Sequence, residues 1–349
     1  MFKVYSLDQR EKWINIINSF DNIDIYYHPD YVIAYKKNNE GEPLLIHYNN
    51  NGIELINVVI KRDISKHINF NKILGEGLYY DFITPYGYGG MLFKEDYVFD
   101  LKKEIINEYL NFCKNLNIIS EFIRFNPLLE NYKDLEKIIN VTELGPTVSI
   151  DTTDLEKTWN SFSSKNRNII RKSIKNGVEI YSGKSNELLN YFVNLYYETM
   201  KRDNANEYYY FSNDYFQSLL NDLNHSMQIF YALYEKKIIS MSTVIFNKNY
   251  IHYHLSASDY EYRSLGPTNL LLWEVAKYAS NNGIKKFHLG GGLGGKMDNL
   301  YKFKKSFNKE NDLVYKVGKI IFNYDIYNDL CKKIMIDSND SYFPLYRKV

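Results

Sequence analysis

The stretch MQIFYALYEKKIISMSTVIFNKNYIHYHLSASDYEYRSLGPTNLLLWEVAKYASNNGIKKFHLG occupies residues 227–290 and decides the fold of the chain. It begins with three segments rich in β-branched and aromatic residues, separated by short polar turns at 235–237 and 247–249, which is the pattern of an antiparallel meander. A turn with Gly266 and Pro267 then leads into a predicted helix, and KKFHLG follows as a further strand. This order predicts an α/β (α+β) fold with mixed, mostly antiparallel sheets flanked by helices.

The first half of the chain repeats this order of elements in a shorter form. A hairpin is predicted over 43–60, where Asn51-Gly52 supplies the residues with positive φ that a type I′ turn needs, and a helix at 101–117 and a strand at 121–125 follow. Residue identity shows no repeat. The shared order predicts two similar domains, residues 1–146 and 147–320, followed by a C-terminal segment of residues 321–349.

Two local expectations complete the reading of the chain. Residues 79–92, with one proline and three glycines, are predicted to form a loop. Residues 155–176 are predicted to form one helix that ends at Asn176-Gly177.

Composition excludes several classes of function. The chain has 349 residues, with 43 Lys and Arg against 42 Asp and Glu, so nothing global attracts it to DNA or to an anionic membrane. The two cysteines, Cys113 and Cys331, form no CxxC motif, which argues against a zinc cluster or a disulfide framework and fits a reducing cytoplasm. No apolar run could span a membrane and the first residues lack a signal-peptide core, so we expect a cytoplasmic protein without a metal or a DNA partner.

The turn Arg263-x-x-Gly266-x-Thr268 is a candidate anion site. It places backbone N–H groups at the N-terminus of the following helix, where the helix dipole also favours negative charge. Together with the order of elements, the turn resembles the pyrophosphate loop of GNAT acyltransferases, Q/R-x-x-G-x-G/A, although Thr268 stands where Gly or Ala is usual. The alternative is that Gly266 and Pro267 only begin a helix.

A more specific resemblance extends over most of the chain. The segments YHLSASD (253–259), the run from Tyr262 to Gly292, and DNLYKFKKSF (298–307) resemble the second domain of the Fem family of peptidoglycan bridge aminoacyl transferases and their GNAT-like acyltransferase relatives. Trp159 to Val178 and DFITPYGYGG at 81–90 fit the same family. The resemblance implies two GNAT-like domains, the first on the acceptor side, with the last strand and helix returning to the first domain. No long heptad insertion is present, so the compact FemX-like form is the better match.

The resemblance also implies roles for individual residues. Lys304 matches a family lysine that stabilises the oxyanion of the tetrahedral intermediate, and an ammonium near an acyl carbonyl is suited to that task. The implied acceptor-binding residues are Lys36, Arg202, Tyr86 and Tyr88. For Lys36, the neighbouring Lys37 fits almost as well. The alternative for each of these cations is an ordinary solvated surface residue.

A basic stripe runs along residues 165–175 of the helix predicted at 155–176. Arg167, Arg171 and Lys175 are spaced four residues apart and therefore share one face, on which like charges repel. An anionic partner such as tRNA, a nucleotide phosphate or coenzyme A would relieve this repulsion, so Arg167 and Arg171 are candidate donor-binding residues. The alternative is a solvated face opposite the isoleucines.

A general base is needed to free the attacking amine of its proton. The candidates are Asp81 and Asp298, with His254 and Glu274 as weaker ones. Asp298 is equally suited to cap the helix that follows it. No Ser-His-Asp or Cys-His set is recognisable, so direct attack of the amine on a bound acyl donor is preferred to a covalent acyl-enzyme.

The sequence therefore predicts an acyl or aminoacyl transferase that forms an amide bond on an amine of a cell-envelope precursor. No cofactor is expected to be bound permanently, and the acyl donor is either aminoacyl-tRNA or acyl-CoA. The acceptor is a small-molecule or carrier-linked amine, which for a lipid-linked precursor brings the protein to the membrane surface. One alternative is an acetyl-CoA-dependent N-acetyltransferase acting on an amino sugar for surface polysaccharide. The other is a non-catalytic member that binds a precursor or glycan.

Overall fold

A computed structural model of the chain describes residues 1–310, 312–335 and 342–349. Its strands are β1 (Phe2–Ser6), β2 (Glu42–Asn50), β3 (Ile53–Asp63), β4 (Tyr80–Ile83), β5 (Leu92–Phe93), β6 (Ile118–Arg124), β7 (Asn140–Asp151), β8 (Glu179–Gly183), β9 (Met227–Tyr234), β10 (Lys237–Phe246), β11 (Tyr250–Ser258), β12 (Lys286–Gly291) and β13 (Leu313–Ile321). Its helices are α1 (Arg10–Asn18), α2 (Pro29–Lys37), α3 (Phe99–Asn115), α4 (Leu155–Ser161), α5 (Ser164–Lys175), α6 (Asn186–Arg202), α7 (Asn213–Asn221), α8 (Pro267–Asn281), α9 (Asn299–Lys305) and α10 (Tyr324–Lys333).

The first compact unit consists of Met1–Leu144 and Tyr315–Val349. Its sheet has the order β1-β2-β3-β4-β6-β13, in which every neighbouring pair is antiparallel except the parallel pair β4–β6. Helix α3 packs its buried face, including Ile105, Ile106 and Tyr109, into the core of this unit. The hairpin β2–β3 turns at Asn51 and Gly52, with φ of 50° and 83°, as the sequence predicts.

The second compact unit is Gly145–Val314. Its sheet has the order β8-β9-β10-β11-β12-β7, and again only one pair of neighbours, β11–β12, is parallel. Helix α8 covers the sheet with its leucines, valine and alanines, because these recur at the spacing that keeps them on one side of a helix. The predicted mixed, mostly antiparallel sheets flanked by helices are confirmed.

One local expectation is wrong and a second holds only in part. Residues 155–176 form two helices, because Phe162 is fully buried against Trp273 and Phe307 and the backbone is extended at Phe162 and Ser163. The Ser163 hydroxyl then accepts a hydrogen bond from the Asn166 N–H at 3.2 Å and caps the second helix. The expected loop at 79–92 begins with β4, whose four residues pair with strands on both sides.

Candidate functional site

Strands β11 and β12 diverge in the second unit. They pair in parallel only from Tyr250 to His252, while β11 continues to Ser258 and β12 to Gly291. In the first unit, the corresponding parallel strand β4 stays paired with β6 as far as its last residue, Ile83. An opening between two strands of the sheet therefore belongs to the second unit, where an extended acyl donor can reach backbone groups that the sheet leaves available.

Lys304 lies at this opening. Helix α9 buries its side chain to 9% exposure, and Nζ donates a hydrogen bond of 2.7 Å to the carbonyl oxygen of Gly291, at the end of β12. The same Nζ lies 6.0 Å from the centroid of the Tyr253 ring on β11. Burial lowers the pKa of Lys304 to about 8, and the Asp298 carboxylate opposes this shift. The ammonium thus remains the main form at neutral pH but is held in a poorly solvated position.

Asp298 is the cap of α9. Its carboxylate accepts hydrogen bonds from the N–H groups of Tyr301, at 2.8 Å, and Leu293, at 2.9 Å. Burial alone would raise the pKa of Asp298, but these backbone hydrogen bonds keep it below its ordinary value. Its geometry is that of the capping alternative, and it orients the helix that carries Lys304.

A cavity of about 270 Å³ lies against β11, α6 and the N-terminus of α8. It brings together the predicted donor residues Arg263, Gly266 and Thr268. Arg202, which the resemblance implies for the acceptor, lines the same cavity rather than a separate one. Tyr253 and Phe303 also line the cavity. Lys304 is therefore next to the cavity, because it follows Phe303 in the chain and its Nζ lies near the Tyr253 ring.

The N-terminus of α8 lines this cavity. Gly266 has φ +66°, and a Cβ there would lie 2.4 Å from Cγ2 of Ile169, so only glycine fits. No side chain caps the helix at Gly266, which leaves the first N–H groups of α8 to other acceptors. Oγ1 of Thr268 is 3.0 Å from Oγ of Ser240, so this hydroxyl is anchored to β10.

Two guanidinium groups flank the same cavity. Arg263 stacks 3.8 Å above the Tyr260 ring centroid and donates to the Tyr260 carbonyl, and Arg202 lies 5.5 Å from the same ring. Arg202 also donates to the Ser258 carbonyl at 2.8 Å and pairs with Asp203. The sequence analysis did not single out Tyr260, although its position three residues before Arg263, one turn of a 3₁₀-helix, was a usable signal.

The two arginines of the predicted basic stripe on α5 have different surroundings. The Arg167 guanidinium donates to carbonyls at the C-terminal end of α4, including Asn160 and Phe162 at 3.2 Å, so it acts as a helix cap instead of facing a ligand. Arg171 is exposed, lies 5.3 Å from the Trp159 ring centroid and donates to Asn168. Neither arginine lines the cavity, and Arg167 is not part of the site proposed below.

Asp81, a candidate general base, is fully buried in the first unit. Its carboxylate accepts a hydrogen bond from Nε of Arg62 at 2.7 Å, one from Arg347, and one from the Tyr346 hydroxyl at 3.0 Å. Burial alone would raise the pKa of Asp81, but the two arginines keep it lowered. A carboxylate held in this way is a poor proton acceptor, so the geometry gives Asp81 a structural role.

The other predicted acceptor residues of the first unit also have protein partners. Lys36 is exposed and pairs with Glu42 at 2.9 Å. The Tyr86 carbonyl accepts a hydrogen bond from the Tyr31 hydroxyl at 2.6 Å. The half-buried Tyr88 ring packs edge-on against the rings of Tyr26 and Tyr315, and burial raises its pKa. Their acceptor role stays a prediction.

The weaker base candidates are occupied as well. Nε2 of His254 is 2.8 Å from the Tyr215 hydroxyl, and burial lowers the pKa of His254 to about 3. Glu274 pairs with Lys277 on the surface of α8.

Comparison with known proteins agrees with this geometry. Residues 164–305 match the family model of the acetyltransferase (GNAT) domain. The matched segment runs from the start of α5 to the end of α9 and so contains the N-terminus of α8, most of the residues that line the cavity, and Lys304. No curated protein matches the chain.

Solved structures share the fold of the whole chain at low sequence identity. The chain superposes on FemX with a TM-score of 0.68 and 14% identity, covering 93% of this chain and 99% of FemX. It also matches the C-terminal domain of a putative lysylphosphatidylglycerol synthetase from Agrobacterium fabrum, with a TM-score of 0.56, 10% identity and 94% of each chain covered. A tandem GNAT protein from the clavulanic acid biosynthesis pathway matches with a TM-score of 0.51, 6% identity and coverage of 93% and 98%. The predicted FemX-like, GNAT-type acyltransferase fold is confirmed.

Among the described residues, no helix is long and apolar enough to cross a membrane. The same residues contain no group of three or more His, Cys, Asp or Glu side chains that could hold a metal ion.

Proposed function

We propose that this protein transfers an acyl or aminoacyl group to an amine carried by a cell-envelope precursor, and that the reaction takes place in the GNAT domain. The observation that carries the proposal is the buried Lys304 ammonium, which is held at the point where β11 and β12 separate. The FemX-like fold of the whole chain supports a precursor-linked acceptor. Nucleotide- and tRNA-linked substrates are made in the cytoplasm, which is where we propose that the protein works.

The chain's own residues account for the electrostatics of the transfer. The amine nitrogen forms a bond to the acyl carbonyl carbon, and the carbon–oxygen or carbon–sulfur bond to the donor breaks. The amine loses one proton, and the released hydroxyl or thiol of the donor gains one. Charge develops on the carbonyl oxygen in the tetrahedral intermediate, and the Lys304 ammonium supplies the compensating positive charge. Because burial prevents water from solvating this ammonium fully, its interaction with the oxyanion is stronger than in water.

The donor's phosphate is proposed to lie at the N-terminus of α8. The uncapped N–H groups after Gly266 and the guanidinium groups of Arg263 and Arg202 all border the same cavity. This set suits both the pyrophosphate of an acyl-CoA and the phosphates at the 3′ end of an aminoacyl-tRNA. The match to an acetyltransferase family favours testing acyl-CoA first.

Ligand-induced stabilisation tests the proposal and separates the donors. The melting temperature is measured with acetyl-CoA, with a charged tRNA and with a nucleotide-linked muropeptide, each at the same excess over its expected Kd. A ligand at 100 times its Kd stabilises the native state by about 2.7 kcal/mol. A shift with acetyl-CoA identifies an N-acyltransferase, and a shift with tRNA identifies a Fem-type aminoacyl transferase. The absence of a shift with either donor contradicts the proposal.

Arg263→Gln is expected to weaken binding of the donor by about tenfold, because one charge-assisted contact to a phosphate is lost. The slope of log Kd against log salt concentration should also fall by about one unit, as each neutralised phosphate contributes about one. Isothermal titration at several salt concentrations measures both quantities. Arg171→Gln is the matched control, since this exposed arginine lies outside the cavity and should leave the affinity and the slope unchanged.

A further inference from the structure

Three large apolar side chains are exposed on the loop that leads into α9 and on the first turn of that helix. Leu293 is 63% exposed, Met297 is 65% exposed and Leu300 is 41% exposed. We call these three residues the apolar tip. Single exposed apolar residues are common on protein surfaces, but three within eight consecutive positions can form a surface that excludes water when it is occupied.

The carboxylate of Asp298 holds the tip together. It accepts hydrogen bonds from the backbone N–H groups of Leu293 and Leu300, and Met297 is its neighbour in the chain. The three apolar side chains therefore project from backbone that is fixed around one point. A preformed tip of this kind loses little conformational entropy when it enters an apolar environment.

Two lysines flank the apolar tip in the sequence. Lys296 and Lys302 are exposed on either side of Met297 and Leu300. The acidic residue within residues 293–302 is Asp298, whose oxygens face backbone N–H groups. Apolar side chains with flanking lysines are suited to the boundary of a bilayer, where the apolar groups enter the acyl region and the lysines meet anionic headgroups.

We propose that the apolar tip docks this protein on an anionic lipid surface. The loop is connected to Lys304 at both ends: Gly291, where the loop begins, accepts the Lys304 hydrogen bond, and Asp298, where it ends, caps the Lys304 helix. Docking through the tip would bring the lysine close to amines that are displayed at a membrane surface. This last consequence rests on the proposed function, whereas the docking itself does not.

Vesicle sedimentation with the full chain tests the docking. The wild-type protein is expected to bind vesicles that contain phosphatidylglycerol and to bind pure phosphatidylcholine vesicles at least tenfold more weakly. Leu293→Ser/Met297→Ser/Leu300→Ser should weaken binding to the anionic vesicles by at least tenfold, and Lys296→Ser/Lys302→Ser should remove most of its salt dependence. The single variant Met297→Ser, with a severalfold loss, covers the case in which the triple variant does not fold.

The matched control is Val98→Ser/Phe99→Ser/Leu116→Ser. These residues are similarly exposed, at 72%, 46% and 41%, but the first two lie beside the acidic residues Glu95, Asp96 and Asp100. This variant should bind anionic vesicles like the wild type.

The remaining outcomes are assigned in advance. The proposal is overturned if the wild-type protein does not bind anionic vesicles, or if the triple variant binds them as the wild type does. Wild-type protein that is dimeric in light scattering and becomes monomeric in the triple variant shows that the tip binds a second copy, which also overturns it. A triple variant that binds vesicles normally but loses turnover of a soluble amine shows a contact with the acceptor instead. Vesicle binding without turnover on any donor leaves the docking standing and removes the proposed function.

Discussion

Lys304→Met is expected to lower kcat by about 100-fold or more while leaving the fold at least as stable as the wild type. The loss of activity follows because removal of one oxyanion donor typically costs this much in other acyl-transfer enzymes. The gain or maintenance of stability follows because a buried ammonium is costly and methionine has a similar shape. KM for the donor should change little, since the charge on the carbonyl oxygen develops mainly in the transition state.

The sign of the pH dependence follows from the lowered pKa of Lys304. In the folded protein the pKa is about 8, below the ordinary value of 10.5, so the folded state binds the proton less tightly than the unfolded state does. The resulting cost to stability is fully present below about pH 8 and disappears as the pH rises toward 10.5. The stability advantage of the methionine variant should therefore be largest at neutral pH. The activity of the wild type should fall above about pH 8, as the ammonium is lost.

Steady-state kinetics and thermal unfolding of the same preparations measure both effects. Lys302→Met, two residues earlier on the exposed side of α9, is the matched control and should keep its activity toward a soluble amine. A Lys304→Met variant with a near-normal kcat would remove the oxyanion role. A variant with low activity and a much lower melting temperature would show that Lys304 is needed for folding instead.

Much of the GNAT domain could be predicted from sequence because its signals are local. Glycine is the residue expected at a left-handed position before a helix with proline at its first position, and Gly266 adopts that conformation. Aspartate is a preferred cap, and Asp298 accepts the hydrogen bond from the N–H three residues later. The strands of the meander follow from apolar residues that recur with a period of about two, and α8 follows from apolar residues that recur with a period of about 3.6.

The expectations that need revision depended on partners far away in the chain. The residues next to Asp81 in the sequence do not indicate that it pairs with Arg347, which lies 266 residues later. Arg167 has the spacing of a ligand-binding stripe. The helix is interrupted at Phe162, however, so the Arg167 guanidinium donates to carbonyl groups at the C-terminal end of α4. Local periodicity therefore predicts on which face of a helix or strand a side chain lies. Packing between distant segments determines which groups that face contacts.

Asp81→Asn is expected to destabilise the protein by about 3 kcal/mol or more, because it leaves the guanidinium groups of Arg62 and Arg347 buried without a counter-charge. Asparagine keeps the shape of the side chain, so the loss reports on the charge itself. Denaturant unfolding measures the free energy. Since the pKa of Asp81 is lowered in the folded state, its contribution is present above the unfolded pKa of about 3.9 and is lost as the pH falls through the lower folded pKa. Asp21→Asn, at an exposed position of the same unit, should change the free energy of unfolding by less than about 0.5 kcal/mol.

The same variant separates a structural carboxylate from a general base. If Asp81 holds the two arginines, Asp81→Asn has a lower free energy of unfolding at neutral pH, yet the folded fraction turns over with a kcat close to that of the wild type. If Asp81 removes the proton from the amine, the variant unfolds like the wild type but loses activity by about 100-fold or more. Arg347→Gln distinguishes these cases further, because it breaks the ion pair without altering the carboxylate. Loss of stability in both variants, with activity per folded molecule retained, is the result that the buried geometry of Asp81, Arg62 and Arg347 predicts.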